Sequence, residues 1–128
     1  MIRTIVAVVD DMFFVSKIRA TGKALGMIVK FPRTAEAFRL IIDDEPPVLI
    51  VVDLHNEKID PFDVAKEVKE NEALSGIPLL GFFSHVQVEL QKRAREAGYD
   101  EILPRSLFAR DLANILAGEQ KPDGKAIN

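Results

Sequence analysis

Three aspartates stand where two apolar segments of the chain end. Asp10 and Asp11 follow the apolar run 5–9, and Asp53 follows the run 48–52. Short runs rich in β-branched residues are typical of the buried strands of a parallel sheet. In open α/β sheets the ligand crevice lies beyond the carboxyl ends of the strands. The pattern therefore predicts that the three carboxylates lie at one edge of such a sheet.

A carboxylate cluster of this kind has two chemical uses. Two carboxylates about 5 Å apart repel by roughly 3 kcal/mol at an effective dielectric near 20, so the cluster either raises a pKa or binds a cation. Oxygen ligands without cysteine suit Mg²⁺, and one carboxylate could act as a nucleophile. The alternative is that Asp10 or Asp11 only caps the helix that follows.

Composition limits the class of protein. The 128 residues are enough for one domain with a real core, and the net charge of -3 gives no electrostatic case for nucleic-acid binding. Without cysteine there are no disulfides and no thiolate metal sites. The first apolar stretch meets two aspartates too soon for a signal peptide, and no later run approaches a membrane span. We expect a soluble cytoplasmic protein that contacts no membrane.

Strand and helix patterns alternate five times along the chain. The predicted strands cover residues 3–9, 27–31, 48–52, 77–83 and 101–103. A repeated βα unit implies a parallel sheet covered on both faces by right-handed crossovers. Pro104 at the end of the fifth strand favours an edge position for that strand. The domain is expected to cover residues 1–117, and the polar tail 118–128 is expected to be frayed.

Residues that typically cap or end helices predict where the helices lie. The first helix is expected over 14–25 and the last over 107–116, with Gly98 ending the helix between the fourth and fifth strands. Thr34 is the expected cap of the second helix, and Asp60 that of the third. The second helix is expected to turn three apolar side chains inward, namely Ala37, Leu40 and Ile41.

Three short motifs resemble the receiver domain of two-component response regulators. They are VVDD at 8–11, IVVDL at 50–54 and AGYDEIL at 97–103, and the resemblance extends to about Leu116. It implies a flavodoxin-like (βα)5 fold, a doubly wound parallel sheet with strand order 2-1-3-4-5. With no effector domain on the chain, the resemblance implies a stand-alone receiver that signals through protein–protein contact.

The resemblance also implies roles for individual residues. Asp53 matches the phosphorylated aspartate, and Asp10 and Asp11 match the acidic pair that binds Mg²⁺ together with it. The backbone carbonyl of His55 matches a further metal ligand. Ser84 matches the hydroxyl residue that hydrogen-bonds the phosphoryl group. The expected partners are a histidine kinase or phosphotransfer protein and an unidentified downstream protein.

The chain also departs from the receiver pattern. Arg105 stands where receivers carry lysine, and Pro104 precedes it instead of following. Ile102 occupies a position that is usually aromatic, and the loop after Asp53 has Glu57-Lys58 instead of the usual proline. Arginine is permanently charged and suited to bidentate pairing with carboxylates, so Arg105 either binds the phosphoryl group or locks onto unmodified Asp53.

Two functional alternatives therefore accompany the phosphate-accepting receiver. In the first, Arg105 neutralises Asp53 and the domain is a phosphorylation-independent interaction module. In the second, the chain is a small flavodoxin-like enzyme or nucleotide binder, which is disfavoured because no glycine-rich phosphate loop follows a strand. A catalytic pair of Ser84 and His85 is also disfavoured, because adjacent strand residues point to opposite faces.

Two phenylalanines follow the acidic pair directly. Phe13 and Phe14 are unusual beside a polar site, and we expect at least one of them to pack beneath the first helix. The alternative is an apolar contact for a partner protein.

Overall fold

The computed structural model describes residues 2–84 and 87–118. The strands are β1 (Thr4–Val8), β2 (Ile28–Lys30), β3 (Leu49–Asp53), β4 (Leu79–Phe83) and β5 (Glu101–Pro104). The helices are α1 (Met12–Ala24), α2 (Ala35–Asp44), α3 (Pro61–Glu70), α4 (Val88–Ala97), α5 (Arg105–Arg110) and α6 (Leu112–Ala117), with a 3₁₀ turn at Glu72–Leu74. His85 and the predicted tail beyond Gly118 lie outside the described residues.

In the described part of the chain, the five strands form one parallel sheet in the order β2-β1-β3-β4-β5. This confirms the predicted fold class and strand order, and it confirms the edge position of β5. The register pairs Val8 with Val52, Asp53 with Phe82, and Phe83 with Pro104. The carboxyl ends of β1, β3, β4 and β5 therefore meet at one edge of the sheet.

Alternate residues of the strands supply two separate cores. Val6, Val8, Ile50 and Val52 pack on one face against α2, α3 and α4. Ile5, Ala7 and Val51 pack on the other face against α1, α5 and α6. Because side chains alternate across a strand and both faces are covered, the central strands are apolar throughout. This continuous apolar composition is the pattern from which they were predicted.

Three predicted helix boundaries are confirmed. Thr34 Oγ1 accepts a hydrogen bond from the amide of Ala37 at 3.0 Å, and Asp60 Oδ1 accepts one from the amide of Phe62 at 2.8 Å. Gly98 ends α4 in the left-handed region at φ 115°. A Cβ at Gly98 would also lie 2.6 Å from Cε of Lys69, so only glycine fits this helix end without a rearrangement.

The inward face predicted for α2 is wrong at one position. Leu40 is 67% exposed, whereas Phe38 and Ile42 are 1% and 4% exposed. Residues 38 and 42 are four apart and share one helix face, which lies on the sheet. Ala37 and Ile41 are half-buried beside that face. The apolar pattern of α2 is broad enough to allow either face. Packing against β1 and β3 selects the face that carries Phe38 and Ile42.

The predicted last helix is also corrected. Two short helices replace it, and the first begins at Arg105, directly after β5, instead of at Leu107. Asp111 separates them with φ -102° and ψ 17°. Its carboxylate accepts two hydrogen bonds from the guanidinium of Arg110, both of 2.9 Å.

No helix among residues 2–84 and 87–118 is long and apolar enough to cross a membrane.

Candidate functional site

Asp53 ends β3, the central strand of the sheet, and its side chain is half-buried. Its Oδ1 accepts a hydrogen bond from the amide of His55 at 2.9 Å, which orients the carboxylate toward the loop that follows. Burial raises the pKa of Asp53, and the charge of Asp11 adds to the rise, while the His55 amide bond and nearby positive charges oppose it.

Asp10, two residues beyond the end of β1, pairs with a cation from the loop after Asp53. Lys58 Nζ lies 3.4 Å from Asp10 Oδ1. Asn56 holds this loop in place, because its Oδ1 accepts hydrogen bonds from the amides of Lys58 and Ile59 at 2.8 and 2.9 Å. Its Nδ2 also donates to the carbonyl of Val8 at 3.4 Å, which ties the loop to β1. The position of Lys58 is therefore set by the fold of the loop.

Asp11 caps α1. Its Oδ1 accepts hydrogen bonds from the amides of Phe13 and Phe14 at 2.9 and 3.2 Å. The expected cap at one of the two aspartates is therefore made by Asp11, and it explains why α1 begins at Met12, two residues earlier than predicted. A carboxylate at a helix N-terminus is also favoured by the helix dipole.

The three aspartates thus share one edge of the sheet but have separate local partners. Among the residues that the structure describes, no three acidic or imidazole groups are grouped closely enough to hold a metal ion. The oxygen donors nevertheless fit Mg²⁺ chemically, because this ion keeps several waters and needs only one or two carboxylates. Magnesium binding by Asp10, Asp11, Asp53 and the His55 carbonyl stays a prediction.

Ser84 and Arg105 follow the two strands on the other side of Asp53. Ser84 comes directly after β4 and is exposed, and Arg105 is the first residue of α5. The pairing of Phe83 with Pro104 puts each of them one position beyond the paired strands. The sheet therefore brings both predicted phosphoryl-binding side chains to the edge that carries Asp53.

The guanidinium of Arg105 lies on aromatic rings. Its Cζ is 4.8 Å from the ring centroid of Phe14 and 5.9 Å from that of Phe13. Such a contact contributes about 0.5–2 kcal/mol, depending on solvent exposure. None of the ion pairs among the described residues joins Arg105 to Asp53. The charge of Arg105 lowers the pKa of Asp53, but its effect is smaller than those of burial, of His55 and of Asp11.

The two phenylalanines differ in their surroundings. Phe14 is 1% exposed, as expected for a ring beneath α1, whereas Phe13 is 59% exposed. Phe14 contacts Phe82 of β4 and Phe108 of α5, with ring centroids 4.9 and 5.7 Å apart. Phe82 and Phe108 are stacked at 4.4 Å. The Arg105 guanidinium therefore lies on a ring that the core holds in place.

Sequence reasoning missed two features of this site. Lys58 is distinctive in the sequence only because its loop lacks the proline that receivers usually have there, and its pairing with Asp10 was not predicted. The aromatic contact of Arg105 was also not predicted, because its only signal in the sequence was the pair Phe13-Phe14 after the acidic residues. Both contacts join segments far apart in the chain.

No protein-family model matches the chain, and no curated protein matches it in sequence.

Solved structures match the fold closely at low sequence identity. The chemotaxis response regulator CheY4 of Vibrio cholerae has a TM-score of 0.78 and 15% identity, over 93% of this chain and 99% of that one. A signal receiver domain from Bermanella marisrubri gives 0.76 and 19%, over 92% and 98%. The phosphorylated cyanobacterial phytochrome response regulator RcpA gives 0.76 and 18%, over 92% and 91%. The chain has the fold of response-regulator receiver domains.

Proposed function

We propose that this protein is a receiver that accepts a phosphoryl group on Asp53 in a phosphorelay. The observation that carries the proposal is the placement of Asp53 at the carboxyl end of the central strand, with Oδ1 held by the His55 amide. Ser84 and Arg105 follow the next two strands at the same edge. One protein with this fold, the cyanobacterial RcpA, has been solved in a phosphorylated form, which supports the proposal.

The chemistry is a nucleophilic transfer. A carboxylate oxygen of Asp53 attacks the phosphorus of a phosphohistidine on a histidine kinase or phosphotransfer protein. The P–N bond breaks, and the imidazole nitrogen keeps its electron pair and takes up a proton. The product is an aspartyl phosphate, a mixed anhydride. Because burial raises the pKa of Asp53, the ionised carboxylate is more basic than an exposed one, which favours attack.

Other side chains at the edge have defined tasks in this scheme. Asp10, Asp53 and the His55 carbonyl, with Asp11 beside them, would hold Mg²⁺, which when bound neutralises charge on the transferring oxygens. The Ser84 hydroxyl donates a hydrogen bond to the phosphoryl group. The planar guanidinium of Arg105 offers two parallel N–H groups to its oxygens.

Output would occur through contact with a downstream protein, since the aspartyl phosphate adds charge and strong acceptors that rearrange the surrounding loops. The competing hypothesis is the interaction module in which Arg105 neutralises Asp53. The position of Arg105 on the rings of Phe13 and Phe14 does not favour that hypothesis.

Phosphate acceptance is tested by intact-protein mass after incubation with acetyl phosphate and Mg²⁺. We expect the protein to gain one phosphoryl group, Asp53→Asn to gain none, and Asp44→Asn, at the exposed end of α2, to behave as the parent. A folded parent protein that gains no phosphoryl group at millimolar Mg²⁺ and does not respond to beryllofluoride would contradict the proposal.

A further inference from the structure

The guanidinium of Arg105 has two places available to it. One is the ring surface of Phe13 and Phe14, where the structure has it, at 5.9 and 4.8 Å from the two centroids. The other is next to Asp53, because Arg105 follows β5 at the same edge of the sheet at which β3 ends in Asp53. Arg105 is exposed at the first position of α5, so its long side chain has room to move between the two.

The rings that contact Arg105 are held in place by the hydrophobic core. Phe13 stands edge-on to Phe14, with centroids 5.1 Å apart and planes at 82°. Phe14 is fixed in turn by Phe82 and Phe108, which stack on one another at 4.4 Å. A guanidinium is planar and weakly hydrated, so it rests on such rings better than an ammonium does. This accounts for arginine at a position where lysine was expected.

Resting on the proposed function, we propose that Phe13 and Phe14 are positioning residues for Arg105. In the unmodified protein their rings hold its guanidinium out of an ion pair with Asp53, and the phosphoryl group on modified Asp53 draws it away from the rings. The carboxylate is thereby left available to the phosphodonor, although a permanently charged arginine lies at the same edge of the sheet.

Charge decides between the two places. An unmodified carboxylate carries at most one negative charge and is already bonded to the His55 amide. A phosphoryl group brings nearly two negative charges and three acceptor oxygens, which suit the bidentate geometry of a guanidinium. The attraction that the rings offer to the guanidinium does not depend on the state of Asp53. The balance therefore shifts toward Asp53 on phosphorylation.

Moving Arg105 has a structural consequence on two helices. Phe13 is 59% exposed in the first turn of α1, and it loses its cationic neighbour. The first turn of α5 gains a direct link to the phosphorylated residue. Phosphorylation thus changes the surface at the start of α1 and at the start of α5. This change does not need the aromatic residue that receivers usually have at the position of Ile102.

The first test uses NMR of the Arg105 side chain in metal-free protein without any phosphodonor. A guanidinium above a ring is shifted upfield by the ring current, and we expect this shift in the parent and its reduction in Phe13→Leu and Phe14→Leu. Phe31→Leu is the matched control, because it removes an arginine–ring contact of the same length, 4.8 Å, from Arg19. Phe13 is exposed, so its variant is informative even if Phe14→Leu does not fold.

The second test measures binding of beryllofluoride, a phosphoryl mimic, in the presence of Mg²⁺. Because the rings compete for Arg105, Phe13→Leu should bind the mimic about two- to fivefold more tightly than the parent. In an Arg105→Gln background the same substitution should have no effect. A purely structural role of Phe13 would change binding equally in both backgrounds. On binding, the Arg105 resonances of the parent should leave their ring-shifted positions.

The outcomes separate this inference from the function on which it rests. A normal response to beryllofluoride with no ring-current shift of Arg105 overturns the proposed position of Arg105 on the rings and leaves the proposed function intact. A clear ring-current shift with no response to beryllofluoride overturns the proposed function, and with it the transfer of Arg105. Equal effects of Phe13→Leu with and without Arg105 also overturn the inference.

Discussion

The ammonium of Lys58 lies 3.4 Å from Oδ1 of Asp10, so the acidic edge of the sheet already has a cation of its own. Both side chains are about half exposed, at 54% and 41%, and such pairs contribute only about 0–1 kcal/mol to stability. The importance of this pair is electrostatic. It places one positive charge where a metal ion would have to bind.

Removing this charge should strengthen metal binding. A lysine about 6 Å from a divalent ion repels it by roughly 1.4 kcal/mol in water, so we expect Lys58→Ala to bind Mg²⁺ on the order of tenfold more tightly at low salt. NMR titration with Mg²⁺ measures this affinity. Lys92→Ala makes the same charge change on the exposed surface of α4 and should have little effect. Equal affinities for Lys58→Ala and Lys92→Ala would show that Lys58 does not control the site.

The two functions assigned to Asp11 can be separated by substitution. Asp11→Ala removes the cap of α1 and should lower the free energy of unfolding by about 0.5–2 kcal/mol. Asp11→Asn keeps an acceptor oxygen for the same amides, so its stability should stay close to that of the parent while its Mg²⁺ affinity falls. Urea unfolding and metal titration test the two effects. An asparagine variant with parental Mg²⁺ affinity would mean that Asp11 is a cap only.

Burial of Asp53 makes stability depend on pH. Its pKa is raised above the ordinary value of 3.8, so the native protein holds this proton more tightly than the unfolded chain does. The resulting stability is complete below the unfolded value and is lost as pH rises through the native one. Asp53→Asn does not titrate, so it should be more stable than the parent at neutral pH.

This advantage of Asp53→Asn should shrink as the pH falls through the raised native pKa of Asp53, and it should be gone below about 4, because protonation then relieves the parent of the buried charge. Urea midpoints across the acid range measure the difference, with exposed Asp44→Asn as the control. An advantage that is the same at every pH would point to an effect other than the buried charge.

Tyr99 fastens the segment before β5 to the start of α3. Its buried hydroxyl donates a hydrogen bond of 2.7 Å to the carbonyl of Pro61, and burial raises the pKa of the phenol. Tyr99→Phe keeps the ring but removes this buried hydrogen bond, which should lower the free energy of unfolding by about 0.5–1.5 kcal/mol. Denaturant unfolding measures the loss. An unchanged midpoint would mean that water replaces the hydroxyl at Pro61.

Local signals predicted much of this fold. Asp60 before Pro61 marks the start of α3, and Gly98 marks the end of α4, because caps and helix ends depend on a few adjacent residues. Predictions that depended on packing were less successful. Leu40 was assigned to the wrong face, and the break at Asp111 was not foreseen. In both cases several local conformations were acceptable, and contacts with the rest of the molecule selected one.

The sequence by itself determined that buried parallel strands end in aspartates, because a strand and the residue after it are continuous in the chain. It also determined which residue types gather at that edge, once the strand order was known. Only the tertiary structure decided which cation lies near which group. Lys58 reaches Asp10, and Arg105 rests on Phe14, through contacts between distant segments. Long charged side chains have many rotamers of similar energy, so their final positions depend on neighbours that the local sequence does not specify.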